Sequence, residues 1–255
     1  MPPPQLGRFK IGGRLGEGSS GAVFVADDPT LARPVAIKFL AAEPDPAARR
    51  DFLLGARAAA GVASHPNVAA VYDHGEDRER PYIVTELVRG RSLAALERPM
   101  LWTQALPLAI GIARGLSAVH GGSVVHCDLK PANIMVTDTG VVKLVDFGLA
   151  RVQRQAAGAA ARRYVGTRDY WAPELWTGTA PTPRSDVYAA GVVIYELIAG
   201  HTPFAAIAID GLGDAVTTLT PPALQTDPRV AALVARCLAR APHERYADGA
   251  ELLAA

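Results

Sequence analysis

The chain has 255 residues, 49% hydrophobic and 20% charged, enough for one large domain or two small lobes sharing a cleft, and too apolar for wholesale disorder. Its 26 lysines and arginines against 25 acids leave a net charge of +1, so composition gives no electrostatic case for nucleic acid or an anionic membrane as the main partner. Cys127 and Cys237 are the only cysteines, which fits a reducing cytoplasm; residues 1–8 lack the apolar core of a signal peptide, and no run of about eighteen apolar residues reads as membrane-spanning.

In chain order, Phe9–Leu15 and Ala22–Ala26 alternate as two strands joined by Gly16-Glu17-Gly18-Ser19-Ser20-Gly21. A G-x-G-x-x-G run also opens dinucleotide-binding folds, but there a helix follows, whereas here Val23-Phe24-Val25 continues as a strand. Val35-Ala36-Ile37-Lys38 is a strand that sets Ala36 and Lys38 on one face. Ala47–Ala63 has helical composition, weakened by Gly55 and Gly61, each costing a helix interior about 1 kcal/mol relative to alanine. No acid lies between Phe52 and Val71. Val68–Tyr72 and Tyr82–Val88 read as the last strands of a small antiparallel sheet, and Ser92 is placed to cap a short helix. Helical patterns follow over Trp102–Gly121, Pro183–Gly200, Val230–Ala239 and Ala247–Ala255.

The densest chemistry is His126-Cys127-Asp128-Leu129-Lys130-Pro131-Ala132-Asn133, followed by Asp146-Phe147-Gly148. Asp128 can orient a hydroxyl and accept its proton, and Lys130 can neutralise charge on a transferring phosphoryl group. Asn133 and Asp146 are hard oxygen ligands suited to Mg²⁺. Further on stand Gly166-Thr167-Arg168-Asp169-Tyr170-Trp171-Ala172-Pro173-Glu174, Ser185-Asp186-Val187-Tyr188-Ala189-Ala190-Gly191, and Arg245.

Together these runs resemble the catalytic domain of eukaryotic-type (Hanks-type) Ser/Thr protein kinases of bacterial kind, from about Phe9 to the last residue. The resemblance implies an α+β, bilobal fold. A flexible tail (1–8) precedes a small antiparallel β-rich lobe (9–88, hinge at 86–88) and a larger, mainly helical lobe (89–255). It implies ATP with Mg²⁺, or Mn²⁺ in its place. Gly16, Gly18 and Gly21 would cover the phosphates and Lys38 reach them. Val23, Ala36, the gatekeeper Thr85, the hinge from Glu86 to Val88, and Met135 would enclose adenine. Asp128, Lys130 and Thr167 would serve catalysis, Asn133 and Asp146 the metal. Asp186 would hold the catalytic-loop backbone, and Arg245 would pair with Glu174. The implied partner is a protein substrate, with no nucleic acid, no membrane span in this segment, and further domains in a longer native chain.

Two departures stand out. Cys127 replaces the family's arginine before the catalytic aspartate, and between Leu149 and Val165 the only hydroxyl is Tyr164. Receptor and acceptor of the usual activating phosphate are missing together, so activity independent of activation-segment phosphorylation is expected. The helix glutamate that holds the lysine falls on Gly55 or Ala56. The helix is therefore expected to be displaced, distorted or poorly ordered, with Asp146, then Asp51, as substitute partners of Lys38. An ATP-binding pseudokinase or scaffold remains the alternative to an active kinase.

Overall fold

Alternating apolar residues build a six-stranded sheet from β1 (Gln5–Leu6), β2 (Phe9–Gly18), β3 (Gly21–Asp28), β4 (Arg33–Leu40), β5 (Val71–Asp77) and β6 (Arg80–Glu86), in spatial order β1-β2-β3-β4-β6-β5. The computed structural model describes residues 5–18, 21–40, 46–62, 64–78, 80–146, 151–152 and 168–255, with backbone alone at 46–48, 51 and 151–152. One sheet face carries Phe24, Ile37 and Val84 in a single rung. These residues close a core with Leu6, Phe9, Val35 and Phe39. The expected tail is thus shortened: Leu6 is buried, and residues 5 and 6 pair with Lys10 and Phe9.

Helix α1 (Pro46–Ala60) lies against the opposite sheet face, where Phe52 and Ala56 pack on Ile83. It is a regular helix of 15 residues, so distortion is not found. Phe52 and Ala56 give this alanine-rich helix its docking surface on the sheet, and Ala59 joins the core of the larger lobe. Gly61 falls beyond the helix, where its N–H closes on the Arg57 and Ala58 carbonyls and its flexibility costs the interior nothing. β5 also starts later than its apolar residues suggest. Val68 and Ala69 are spent on the junction between lobes, with the Ala69 N–H donating to Leu144 O at 2.9 Å and the Leu144 N–H to Asn67 O at 2.9 Å.

The larger lobe is helical: α2 (Trp102–Gly121), α3 (Pro173–Trp176), α4 (Pro183–Ala199), α5 (Ile209–Thr218), α6 (Pro228–Cys237) and α7 (Gly249–Ala254). Short strands β7 (Gly90–Ser92), β8 (Val124–Val125), β9 (Ile134–Thr137), β10 (Val142–Leu144) and β11 (Arg151–Val152) complete the chain. Ser92 precedes a 3₁₀ turn, Leu93–Ala95, without making a side-chain cap. Asp227 and Asp248 do cap α6 and α7, each accepting backbone N–H bonds at 2.9 Å. Helices α2 and α4 meet in one core with Val187, Val193 and Leu197. Cys237 is fully enclosed there, and burial pushes its thiol up to about 12. Where α7 crosses α2, a Cβ on Gly249 would sit 2.3 Å from the Ser117 nitrogen, so only glycine allows this approach.

Arg245 locks the lower end of this lobe. It donates bidentately to Glu174 at 2.9 and 2.8 Å, and to the carbonyls of Ala239, Arg184 and Arg240. All five guanidinium N–H groups are used. The Ser185 hydroxyl adds a bond to Glu174 at 2.7 Å. Such a pair is worth little against apolar replacements, but removing one member strands the other. Arg245→Met should therefore lower unfolding free energy by about 3–5 kcal/mol in urea denaturation, with part regained in the Glu174→Gln/Arg245→Met double variant. A loss of about 1 kcal/mol, typical of an exposed pair, would contradict this assignment.

Candidate active site

Sheet register fixes the roof of the cleft. Gly16, Val23, Lys38 and Ile83 form successive partners across β2, β3, β4 and β6. Val25, Ala36 and Thr85 form a neighbouring rung, and Gly18 pairs with Gly21 at the end of the glycine hairpin. Directly opposed residues share a sheet face, as do residues two apart, so Val23, Ala36, Lys38 and Thr85 all point the same way. Beyond Thr85, the Glu86 N–H is turned out of the cleft to Ala70 O at 2.8 Å. The Glu86 carboxylate meets Lys143 at 3.0 Å. Lys143 is the cross-strand partner of Met135, so the hinge and the β9–β10 hairpin are tied together beside half-buried Val88.

The catalytic-loop residues converge as their spacing suggests. Lys130 Nζ donates to Asp128 Oδ2 at 2.8 Å. The Asn133 amide nitrogen donates to both the Asp128 carbonyl and its Oδ2, at 2.8 and 2.9 Å. That consumes the amide's donor side and leaves its oxygen as the atom for a cation. The Val145 N–H donates to Asn133 O at 3.0 Å, which holds the residue before Asp146 against the loop. His126 bridges the same elements, its Nε2 lying 3.2 Å from Val145 O.

Asp186 on α4 anchors the loop from beneath. It is 2% exposed and accepts the His126 N–H at 2.7 Å and the Cys127 N–H at 3.0 Å. Cys127 has φ 68°, a left-handed backbone that costs a residue with a Cβ roughly 1–2 kcal/mol. Asp186 holds that strain in place. Sequence reasoning assigned His120 no chemistry, yet it completes this anchor. Gly249 donates its N–H to His120 Nδ1 at 3.0 Å, so the ring proton sits on Nε2, 3.0 Å from Asp186 Oδ2. The signal was a histidine continuing the apolar stripe Ile112, Leu116 and Val119 of α2.

Lys38 is 7% exposed and forms an ion pair with Asp146. Asp146 therefore is the substitute partner that the sequence suggests. The side chain of Asp51, together with Thr167, Tyr164, Phe147 and Gly148, lies outside the described residues. Cys127 is half-buried and points its thiol to Val125 O at 3.4 Å. For a divalent cation the cleft offers two hard oxygens, from Asn133 and Asp146. Among the described residues no group of three or more His, Cys, Asp or Glu forms a cage. This donor set fits Mg²⁺, which usually binds through one or two carboxylates together with substrate phosphates and water. A separate apolar cavity of about 440 Å³ between α6 and residues 219–224, lined also by Tyr195, Val234 and Leu238, carries no acid or amide, so cavity size does not mark the chemistry here. No helix among the described residues is long and apolar enough to cross a membrane.

These features have counterparts in known proteins. A probable serine/threonine-protein kinase of Corynebacterium efficiens is 37% identical over 267 residues, 97% of this chain and 40% of that protein. The serine/threonine-protein kinase PknL of Mycobacterium tuberculosis is 37% identical over 258 residues, 94% of this chain and 63% of the relative. PknB of Mycobacterium leprae is 34% identical over 275 residues, 99% and 43% respectively. The chain thus spans between 40% and 63% of the length of these relatives. The family described as "Protein kinase domain" matches residues 9–253, the same span that holds the glycine hairpin, the anchored loop and the Glu174–Arg245 lock, and the chain belongs to it.

Proposed function

We propose that the domain transfers the γ-phosphoryl group of ATP to serine and threonine hydroxyls of a protein substrate. The observation that carries this reading is the Asp128–Lys130–Asn133 cluster, a carboxylate held by two donors from one loop and anchored by Asp186. Adenine is assigned to Val23, Ala36, Thr85 and Met135, with hinge contacts from Glu86 and Val88. Gly16, Gly18, Gly21 and Lys38 are assigned to the phosphates. When bound, Mg²⁺ neutralises phosphate charge, and Asn133 and Asp146 are the residues assigned to hold it, with Mn²⁺ as a substitute.

Asp128 orients the acceptor hydroxyl and takes its proton as the new O–Pγ bond forms and the bond from Pγ to the β-phosphate oxygen breaks, releasing ADP. Lys130 lies within hydrogen-bond reach of Asp128 and offsets charge on the transferring group. Thr167 is assigned to the same space. The relatives' printed names support the Ser/Thr class. The domain is assigned to the cytoplasm, a reading supported by its assigned use of ATP and by a chain with only two cysteines.

The second reading, a nucleotide-binding domain without catalysis, draws on the absence of an acid between Phe52 and Val71 and on the engagement of Lys38 by Asp146. The two readings part on one measurement. Asp128→Asn should lower phosphoryl transfer from labelled ATP to a generic protein substrate by about 100- to 10,000-fold while nucleotide affinity is retained. Undetectable transfer in the wild-type chain, with ATP binding intact by calorimetry, would instead favour the non-catalytic reading.

Cys127 presents no cation to a phosphate on the activation segment, so phosphatase treatment of the purified protein should leave its rate unchanged. A large drop, restored by preincubation with ATP and mapped to Tyr164 or Thr167, would contradict this. Phosphoamino-acid analysis of the substrate should return phosphoserine and phosphothreonine; phosphotyrosine alone would reject the assigned class.

A further inference from the structure

We infer that Lys38 and the divalent cation compete for one carboxylate, Asp146, with which Lys38 is already ion-paired. The inference rests on Asp146 as metal ligand and Lys38 as phosphate ligand, and extends that reading to how the two are loaded.

Lys38 faces the helix that should have held it. Its cross-strand partner Ile83 shares its sheet face, and Ile83 is the residue on which Phe52 and Ala56 of α1 pack. The inward stripe of α1 therefore looks toward the ammonium, and it reads Phe52, Gly55, Ala56, Ala59, all buried and none able to accept a proton or balance a charge. The helix is docked, and the described side chains of its inward stripe offer Lys38 no carboxylate.

Four described acids of the cleft and of β5 are engaged elsewhere. Asp128 is held by Lys130 and Asn133, and Glu86 by Lys143. On β5, Asp73 pairs with Arg8 and Glu76 with Arg49. A buried ammonium is costly without an opposite charge, so Lys38 takes Asp146, whose own φ of 65° sets its carboxylate off the direction of β10. One carboxylate cannot neutralise an ammonium and chelate a cation at full strength together. Without nucleotide, Lys38 holds the group and weakens metal binding. Nucleotide phosphates give Lys38 a new partner and free the carboxylate. Metal and nucleotide consequently arrive as a coupled pair.

Mn²⁺ binding followed by electron paramagnetic resonance, without nucleotide, tests this by a double-mutant cycle. Lys38→Met should raise Mn²⁺ affinity about tenfold, within the usual range of coupling between sites. Gly55→Glu should do likewise by drawing Lys38 away, and Gly55→Gln should not. In the Lys38→Met background, Gly55→Glu should add nothing, because no lysine remains to be drawn. Lys38→Gln repeats the arm with a polar replacement, and circular dichroism confirms that each variant is folded. Equal Mn²⁺ affinity of wild type and both Lys38 variants would overturn the competition. A gain from Gly55→Glu that persists without Lys38 would show bare added charge and overturn it too. If none of the proteins binds Mn²⁺ even with ADP present, the metal site itself is wrong and the inference falls with it.

Discussion

The candidate active site depends on one buried carboxylate, Asp186, which faces the backbone of the loop rather than the cleft side chains. Asp186 receives two consecutive backbone N–H groups from the catalytic loop and a histidine N–H from α2. In a medium of low polarity, charge-assisted bonds of this kind are strong and directional. They also hold Cys127 in a backbone conformation that a free loop would leave. Asp128, next along the chain, inherits its position from that clamp. The geometry of Asp128, the proposed base, is thus set by an interaction about packing and desolvation rather than chemistry.

The small lobe solves a different problem. Its sheet register places Val23, Ala36, Lys38 and Thr85 on one face almost without regard to side-chain identity, because alternation and pairing suffice. The charge on that face is less well provided for. Among the described residues, the cleft pairs acid with base in Asp128–Lys130, Glu86–Lys143 and Lys38–Asp146. This pairing offsets charge within the cleft, and it makes one ligand's arrival a rearrangement of the others.

Much of this was legible from residues alone, where a single physical rule governs. The glycine hairpin, the Val35–Lys38 strand and helix α2 follow from period and turn chemistry. The Glu174–Arg245 pair and the Asp186 anchor came through resemblance, since their members are 71 and about 60 residues apart in sequence and no local pattern joins them. His120 was missed for the same reason: its worth lies in partners from α4 and α7. Val68 misled because an apolar run serves a lobe junction as well as a strand. The docking of α1 was underestimated because counting glycines and alanines gives no weight to where the one large side chain, Phe52, falls.

The bond from Gly249 to His120 joins residues 129 positions apart. On a ribosome adding about 5–20 residues per second, the histidine is made roughly 6–26 s before its second partner. Through that interval His120 Nδ1 lacks the donor it has in the folded domain, and the anchor beneath the loop is incomplete. The glycine that permits the close crossing of α7 over α2 also delivers that last N–H. The last hydrogen bond of the anchor is therefore made only when the far end of the domain folds back beneath the loop.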